Sequence, residues 1–173
     1  FGAASTVQTM ERLAKDKRAA AGAKVVGVCA MDLWSYPLPQ HTLENRIQAP
    51  SLFITSAQFE SNDEFGFTEK LISSCGEQAS LVAVHGSRHQ FVSDTPFFFP
   101  KPISDAFQIT GSDETASTTS AAVADLLSSF IAHCADPASN GRESAHSDEL
   151  WKKKLDKLTQ DHENVLLRRG SPP

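Results

Sequence analysis

Apolar residues fall along this chain in two rhythms, helical stripes and short unbroken runs, and the two alternate. Residues 3–20 carry Val7, Met10, Leu13 and Ala14 at helical spacing, with Lys15, Lys17 and Arg18 toward the end and Gly22 beyond. That pattern predicts an amphipathic helix whose last turns set cations against the helix dipole and whose end a glycine can cap. Lys24 to Met31 is a short apolar run, β-branched at its start and closed by Asp32; Pro50–Ser56 and Ala79–His85 are two more. Runs that do not alternate with polar residues suit strands buried on both faces, as in a parallel sheet. Between the second and third runs, residues 63–75 place Phe67, Leu71 and Ile72 on one face of a helix ending near Cys75 and Gly76. Strand, helix and strand in alternation predict an α/β fold: a mostly parallel sheet flanked by helices, with right-handed crossovers.

The segments between these elements read as loops. Residues 32–39 contain Pro37 and Pro39, which forbid regular structure, and residues 86–90 follow the third strand directly. Residues 96–102, Pro-Phe-Phe-Phe-Pro-Lys-Pro, form a proline-framed aromatic loop. Its three phenylalanines suit ordinary packing; the sharper reading is a peripheral contact with a lipid surface. Residues 114–134 predict a long helix with Val123, Leu126, Leu127, Phe130 and Ile131 on one face. Residues 136–147 are small and polar, and residues 148–169 predict a charged helix bearing Leu150, Leu155, Leu158, Val165 and Leu166. The expected organisation is therefore an α/β unit over residues 1–135 and a polar linker with a charged helical tail over 136–173. The charges of the tail read as a solvated helix face.

Composition narrows the function classes. At 173 residues, 40% hydrophobic and 21% charged, the chain has the balance of one ordinary globular domain. A net charge of -5 argues against a nucleic-acid partner, which would demand concentrated Lys and Arg. No stretch reaches the roughly 18 apolar residues of a membrane span. Cys29, Cys75 and Cys134 are too few and too scattered for a disulfide framework or a structural zinc site, and Cys29 reads as a buried thiol. No metal or cofactor is expected. The chain opens Phe1-Gly2-Ala3-Ala4, without Met or a leader, and enters a helical pattern at once. That suggests a cut within a fold, so the compartment stays open between secreted and cytoplasmic.

In doubly wound sheets reactive groups gather at the carboxyl ends of strands, and two titratable residues are expected there. Asp32 ends the first strand and His89 lies just past the third. An acid and then a histidine, each in a loop after a strand, match the last two members of an α/β-hydrolase triad in chain order. The imidazole would shuttle the proton between nucleophile and leaving group while the carboxylate holds its tautomer. A serine on a Gly-x-Ser-x-Gly elbow should precede them, and no such motif occurs. Phe1-Gly2 followed by a helix has the form of the trailing half of that elbow. A serine directly before Phe1 would complete it and make the Phe1 amide an oxyanion-hole donor. The plainer alternatives are an Asp that caps a turn and a loop histidine exposed to solvent. His85 and His89 are four apart, but Gly86-Ser87 between them spoils a helical metal site. His41, His133, His146 and His162 read as surface residues. Ser35, Ser56 and Ser87 lack the glycines of an elbow and are poor nucleophile candidates.

The two loops together are more specific than either alone. Met31-Asp32-Leu33-Trp34-Ser35-Tyr36-Pro37-Leu38 resembles the acid loop of the platelet-activating-factor acetylhydrolases, the group VII phospholipases A2 of the α/β-hydrolase superfamily. That family reads Leu-Asp-Ala-Trp and then aromatic-Pro-Leu. His85-Gly86-Ser87-Arg88-His89-Gln90-Phe91 resembles its Gly-Ser-x-His-Gln loop. Phe1-Gly2-Ala3-Ala4 is similar to the residues just after its Gly-His-Ser, and Pro50–Ser56 to its intervening strand. The likeness fades by about residue 136.

The resemblance implies the carboxyl-terminal part of a serine esterase. Such an enzyme removes the sn-2 acetyl, short or oxidised acyl group from phospholipids resembling platelet-activating factor, without calcium or cofactor. It implies Asp32 as triad acid, His89 as triad base, Phe1 as oxyanion donor, and Trp34 and Gln90 as pocket or supporting residues. A chain without the serine is expected to hydrolyse little by itself, and its sheet edges to favour aggregation. Two alternatives stay open: a carboxylesterase for another substrate, and a non-catalytic α/β module that binds lipid or protein.

Overall fold

The computed structural model describes residues 2–15, 25–44, 47, 49–89, 100–107, 116–136, 144–162 and 165–169. Helix α1 (Gly2–Lys15) leads to strand β1 (Val28–Met31), a short helix α2 (Gln40–Glu44) and strand β2 (Ser51–Ser56). Helices α3 (Ala57–Glu60) and α4 (Phe65–Cys75) and a single 3₁₀ turn precede β3 (Ala79–Val84). Then come α5 (Lys101–Ala106), α6 (Ala116–Ala135), α7 (Ser144–Asp161) and β4 (Val165–Arg169).

The sheet has four strands in the order β1-β2-β3-β4. The first three are parallel, as their unbroken apolar runs predict, with Ala30 beside Phe53 and Phe53 beside Leu81. Residues pointing to opposite sides of the pleat build two cores. On one side Val28, Ala30, Phe53 and Leu81 pack with Val7 of α1, Leu43 of α2 and Leu71 and Ile72 of α4. On the other, Leu52, Ile54, Val82 and Val84 pack with Leu126 and Phe130 of α6 and Trp151 and Leu155 of α7. The result is a three-layer α/β fold. Each fully buried Leu, such as Leu52, Leu71 or Leu126, contributes about 2 kcal/mol from area removed from water.

The tail differs from the helix expected over 148–169. The helix occupies Ser144–Asp161, and Val165–Arg169 instead pairs antiparallel with β3, Val165 opposite Val84 and Leu167 opposite Val82. A strand with a free edge offers a row of backbone partners, and those non-local hydrogen bonds override helical spacing. The edge of β3 is thereby covered. The proline-framed loop was expected to run to residue 102, but α5 starts at Lys101, with Pro100 as its cap residue and Pro102 in its first turn, where the missing N–H costs nothing. Residues 96–99 of that loop and residues 16–24 lie outside the described residues.

Several apolar positions assigned to helix faces point outward: Phe67, Ile131, Leu150 and Leu166 are exposed. His133, expected at the surface, is buried instead. Its side chain is 7% exposed and stacks on Trp151 at a centroid distance of 5.4 Å. Cys29 is half-buried and free. Burial and the neighbouring Cys134 push its thiol up to about 12. Burial pushes the Cys134 thiol up to about 11. Both stay protonated at neutral pH, as buried structural thiols do. Among the described residues no helix is long and apolar enough to cross a membrane.

Candidate active site

The carboxyl ends of β1, β2 and β3 lie side by side, and each delivers one polar residue to the same place. Asp32 follows β1. Its N–H still donates to the Ile54 carbonyl at 2.8 Å, so it keeps the strand register. Its backbone then turns into the left-handed region, with φ 41°. Among the described residues it is the one non-glycine with positive φ, a conformation that Asp tolerates better than most residues and that concentrates at functional sites. The turn lays the side chain across the ends of the neighbouring strands.

There the carboxylate is 2% exposed and fully engaged. Oδ1 accepts the Ser56 N–H at 2.6 Å, and Oδ2 accepts the Ser56 hydroxyl at 2.8 Å. Oδ2 also stands 3.0 Å from Nδ1 of His89. A buried carboxylate needs such partners to offset its lost hydration. Because the carboxylate only accepts, the proton between them belongs on Nδ1, which leaves the lone pair of a neutral ring on Nε2.

The loop after β3 is shaped to present that ring. Gly86 takes φ 73°, a left-handed turn that a side chain would strain. The Ser87 hydroxyl donates back to the Val84 carbonyl and closes the turn. Helix α3 then holds the loop from the β2 side. The Gln58 side-chain carbonyl accepts the His89 N–H at 3.1 Å, and the Gln58 N–H reaches the Ser87 carbonyl at 3.4 Å. The histidine ring is 57% exposed, so one nitrogen faces a buried acid and the other faces outward. Beneath it, a small cleft is lined by Asp32, Ser56, Ser87 and Arg88 with Thr119 and Val123 of α6.

The structure thus brings Asp32 and His89 together across 57 residues of sequence. Trp34 lies on the same acid loop but is 37% exposed, its Nε1–H donating to the Glu64 carboxylate. Phe1 and Gln90 lie outside the described residues. The three serines named as poor nucleophiles are each occupied: Ser35 with Thr68, Ser56 with Asp32, Ser87 with the Val84 carbonyl. Among the described residues no hydroxyl or thiol is hydrogen-bonded to Nε2 of His89, and no cluster of His, Cys, Asp and Glu could hold a metal ion.

Sequence reasoning missed Ser56 as a partner of Asp32 and Gln58 as a partner of the histidine loop. The available signal was a serine at the carboxyl end of a strand, where a helix cap is common. That signal marks the start of α3, not the reach of the same hydroxyl toward Asp32.

A three-layer α/β protein with an acid–histidine pair at the ends of adjacent parallel strands is the class that this fold and site define. The model of the platelet-activating factor acetylhydrolase, isoform II, family matches residues 1–148, and the chain belongs to that family. The match runs beyond residue 136, where the likeness of the loops fades, and ends inside α7. Among curated proteins none matches the chain at a significant level.

Proposed function

We propose that this chain carries the acid and the base of a serine esterase. Its substrates would be phospholipids of the platelet-activating-factor type, cleaved at the sn-2 acetyl or short or oxidised acyl ester. Membership of the acetylhydrolase family supports a phospholipid ester as substrate. The observation that carries the reading is the 3.0 Å contact between the buried Asp32 carboxylate and Nδ1 of the exposed His89 ring.

In this mechanism a serine directly before Phe1 attacks the ester carbonyl. Its proton passes to Nε2 of His89, and the Asp32 carboxylate stabilises the imidazolium that forms. The Phe1 N–H donates to the oxyanion of the tetrahedral intermediate. His89 then returns the proton to the departing glycerol oxygen, which leaves as the lysophospholipid. Water, deprotonated by His89, releases the acyl group by the same steps in reverse roles. The nucleophile is a side chain activated by His89, so the proposed reaction needs no calcium. Among the described residues no hydroxyl or thiol meets Nε2 of His89, and a chain without the serine before Phe1 is expected to hydrolyse little.

The test is a fluorophosphonate probe, which phosphonylates activated serines, applied to a polypeptide that includes the residues before Phe1. Labelling of a serine immediately before Phe1, lost in His89→Ala, is the expected result. A residue there that is neither Ser nor Cys would overturn the esterase reading and leave a binding module in its place.

A further inference from the structure

Gln58 is an exposed residue on the four-residue helix α3, and neither fact marks it for a role. Its partners do. Its N–H reaches the Ser87 carbonyl at 3.4 Å, and its side-chain carbonyl accepts the His89 N–H at 3.1 Å. One residue thus meets the histidine loop twice, once through its backbone and once through its side chain. Two residues earlier, Ser56 caps the same helix, and its hydroxyl donates to Oδ2 of Asp32 at 2.8 Å. The start of α3 therefore holds the acid with one residue and the base with another. The 3.0 Å contact between Oδ2 of Asp32 and Nδ1 of His89 joins those two attachments.

The base needs such an attachment. Its ring is more than half exposed, so packing does little to fix it. Gly86, in its left-handed turn, sits where the backbone is most free to change. Ser87 is fixed to the Val84 carbonyl, and beyond it Gln58 is the partner of the His89 amide. The side chain that holds this amide has two conditions to meet. It must be long enough: an Asn is one methylene shorter, about 1.5 Å of reach, and would leave the N–H unmet from the same backbone position. It must also accept a hydrogen bond without carrying charge. Asp32 already sets a carboxylate against Nδ1, and the charged side chains lining the cleft at the base are Asp32 and Arg88. A second carboxylate beside the loop would favour the imidazolium and keep a proton on Nε2, where the base must be free. Glutamine meets both conditions. We propose that Gln58 is the positioning residue of the base, holding His89 by its backbone so that Nδ1 stays on Asp32 and Nε2 stays aimed at the nucleophile. The role deepens the esterase reading above and rests on it.

The experiment uses the polypeptide that includes the serine, with a short-chain nitrophenyl ester as substrate. Gln58→Met keeps the length of the side chain and removes the acceptor; Gln58→Glu keeps an acceptor and adds charge. The position is exposed, so both variants should melt close to the unmodified protein. In Gln58→Met, kcat is expected to fall about tenfold with KM within about twofold, because a misplaced base costs turnover and not binding. In Gln58→Glu, kcat on the alkaline plateau should recover to within about threefold, and the acid limb of kcat/KM should move to higher pH. Exchange of the His89 amide gives a readout without turnover: it should speed up in Gln58→Met and stay slow in Gln58→Glu. Turnover in Gln58→Met within about twofold of the unmodified protein would overturn the positioning role and leave the esterase reading in place. An equal loss of kcat in both variants would also overturn it, since the acceptor would then not be what matters. Absence of His89-dependent hydrolysis in the unmodified polypeptide would overturn the esterase reading and the role with it.

Discussion

Ser56 holds both oxygens of Asp32 from a single position, its amide on Oδ1 at 2.6 Å and its hydroxyl on Oδ2 at 2.8 Å. The same hydroxyl accepts the Phe59 N–H at 3.2 Å and so caps α3. The last residue of β2 therefore sets the orientation of the acid that ends β1 and starts the helix that supports the histidine loop. A hydrogen bond to a charged group is worth about 1.5–3 kcal/mol, and the cap about 1 kcal/mol. Ser56→Ala removes both but leaves the amide on Oδ1. The variant is expected to lose about 2 kcal/mol in urea unfolding and to turn over ester about tenfold more slowly with KM little changed.

Asp32→Asn tests the tautomer argument. The asparagine amide can donate to Nδ1, which drives the ring proton to Nε2 and blocks proton acceptance there. Turnover in the serine-containing polypeptide should fall about 10⁴-fold while the fold is kept. Steady-state kinetics with a short-chain ester, alongside circular dichroism, checks both halves. Turnover within a few-fold of the unmodified protein would remove Asp32 from the mechanism.

Gly27 sits where α6 crosses the start of β1. A Cβ there would lie 2.3 Å from Sγ of Cys134 and 3.3 Å from Cζ of Phe130. Gly27→Ala is expected to destabilise the chain by about 1–3 kcal/mol through overpacking. Adding Cys134→Ala removes the closest atom and should recover part of the loss. A double-mutant cycle on thermal melts measures this directly, and strict additivity would show that the two positions do not meet.

His133 couples stability to pH. Its imidazole, stacked on Trp151, is held below the usual histidine value by burial, against an opposing pull from Asp148 and Asp136. The depressed value means that the folded state binds a proton less readily than the unfolded chain. The contribution is therefore complete above the ordinary histidine value of 6.5 and is lost as pH falls through the folded value. Melting temperature should drop on acidification from pH 7 to pH 5. In His133→Phe, which keeps an aromatic ring against Trp151, the drop should be shallower.

Strand β4 protects an edge. Removing residues 163–173 deletes the ladder in which Val165 opposes Val84, and with it a buried valine of the second core. The exposed β3 edge becomes a template for pairing with another chain. The truncated protein is expected to lose several kcal/mol of stability and to elute as larger species in size-exclusion chromatography.

Sequence by itself determined the three parallel strands, because each reads as an unbroken apolar run; β2 and β3 are buried on both faces, while β1 buries Val28 and Ala30 and leaves Cys29 and Met31 half-buried. It also determined that Asp32 and His89 would both stand at the carboxyl end of the sheet, since a parallel topology brings every strand end to one side. Tertiary structure alone decided that the two touch, and through which partners. Ser56 reaches Asp32 over 24 residues and Gln58 reaches His89 over 31, distances at which no local pattern operates. It also decided the fate of residues 165–169 and of His133. Leu150, Leu155 and Leu158 promise a helix that Val165 and Leu166 could continue, but the free edge of β3 supplies backbone hydrogen bonds that only a strand can take. His133 lies on a helix of ordinary polarity, and its ring is covered where α7 lays Trp151 against it. In each case the deciding energy comes from a partner distant in sequence, which side-chain spacing along one segment cannot report.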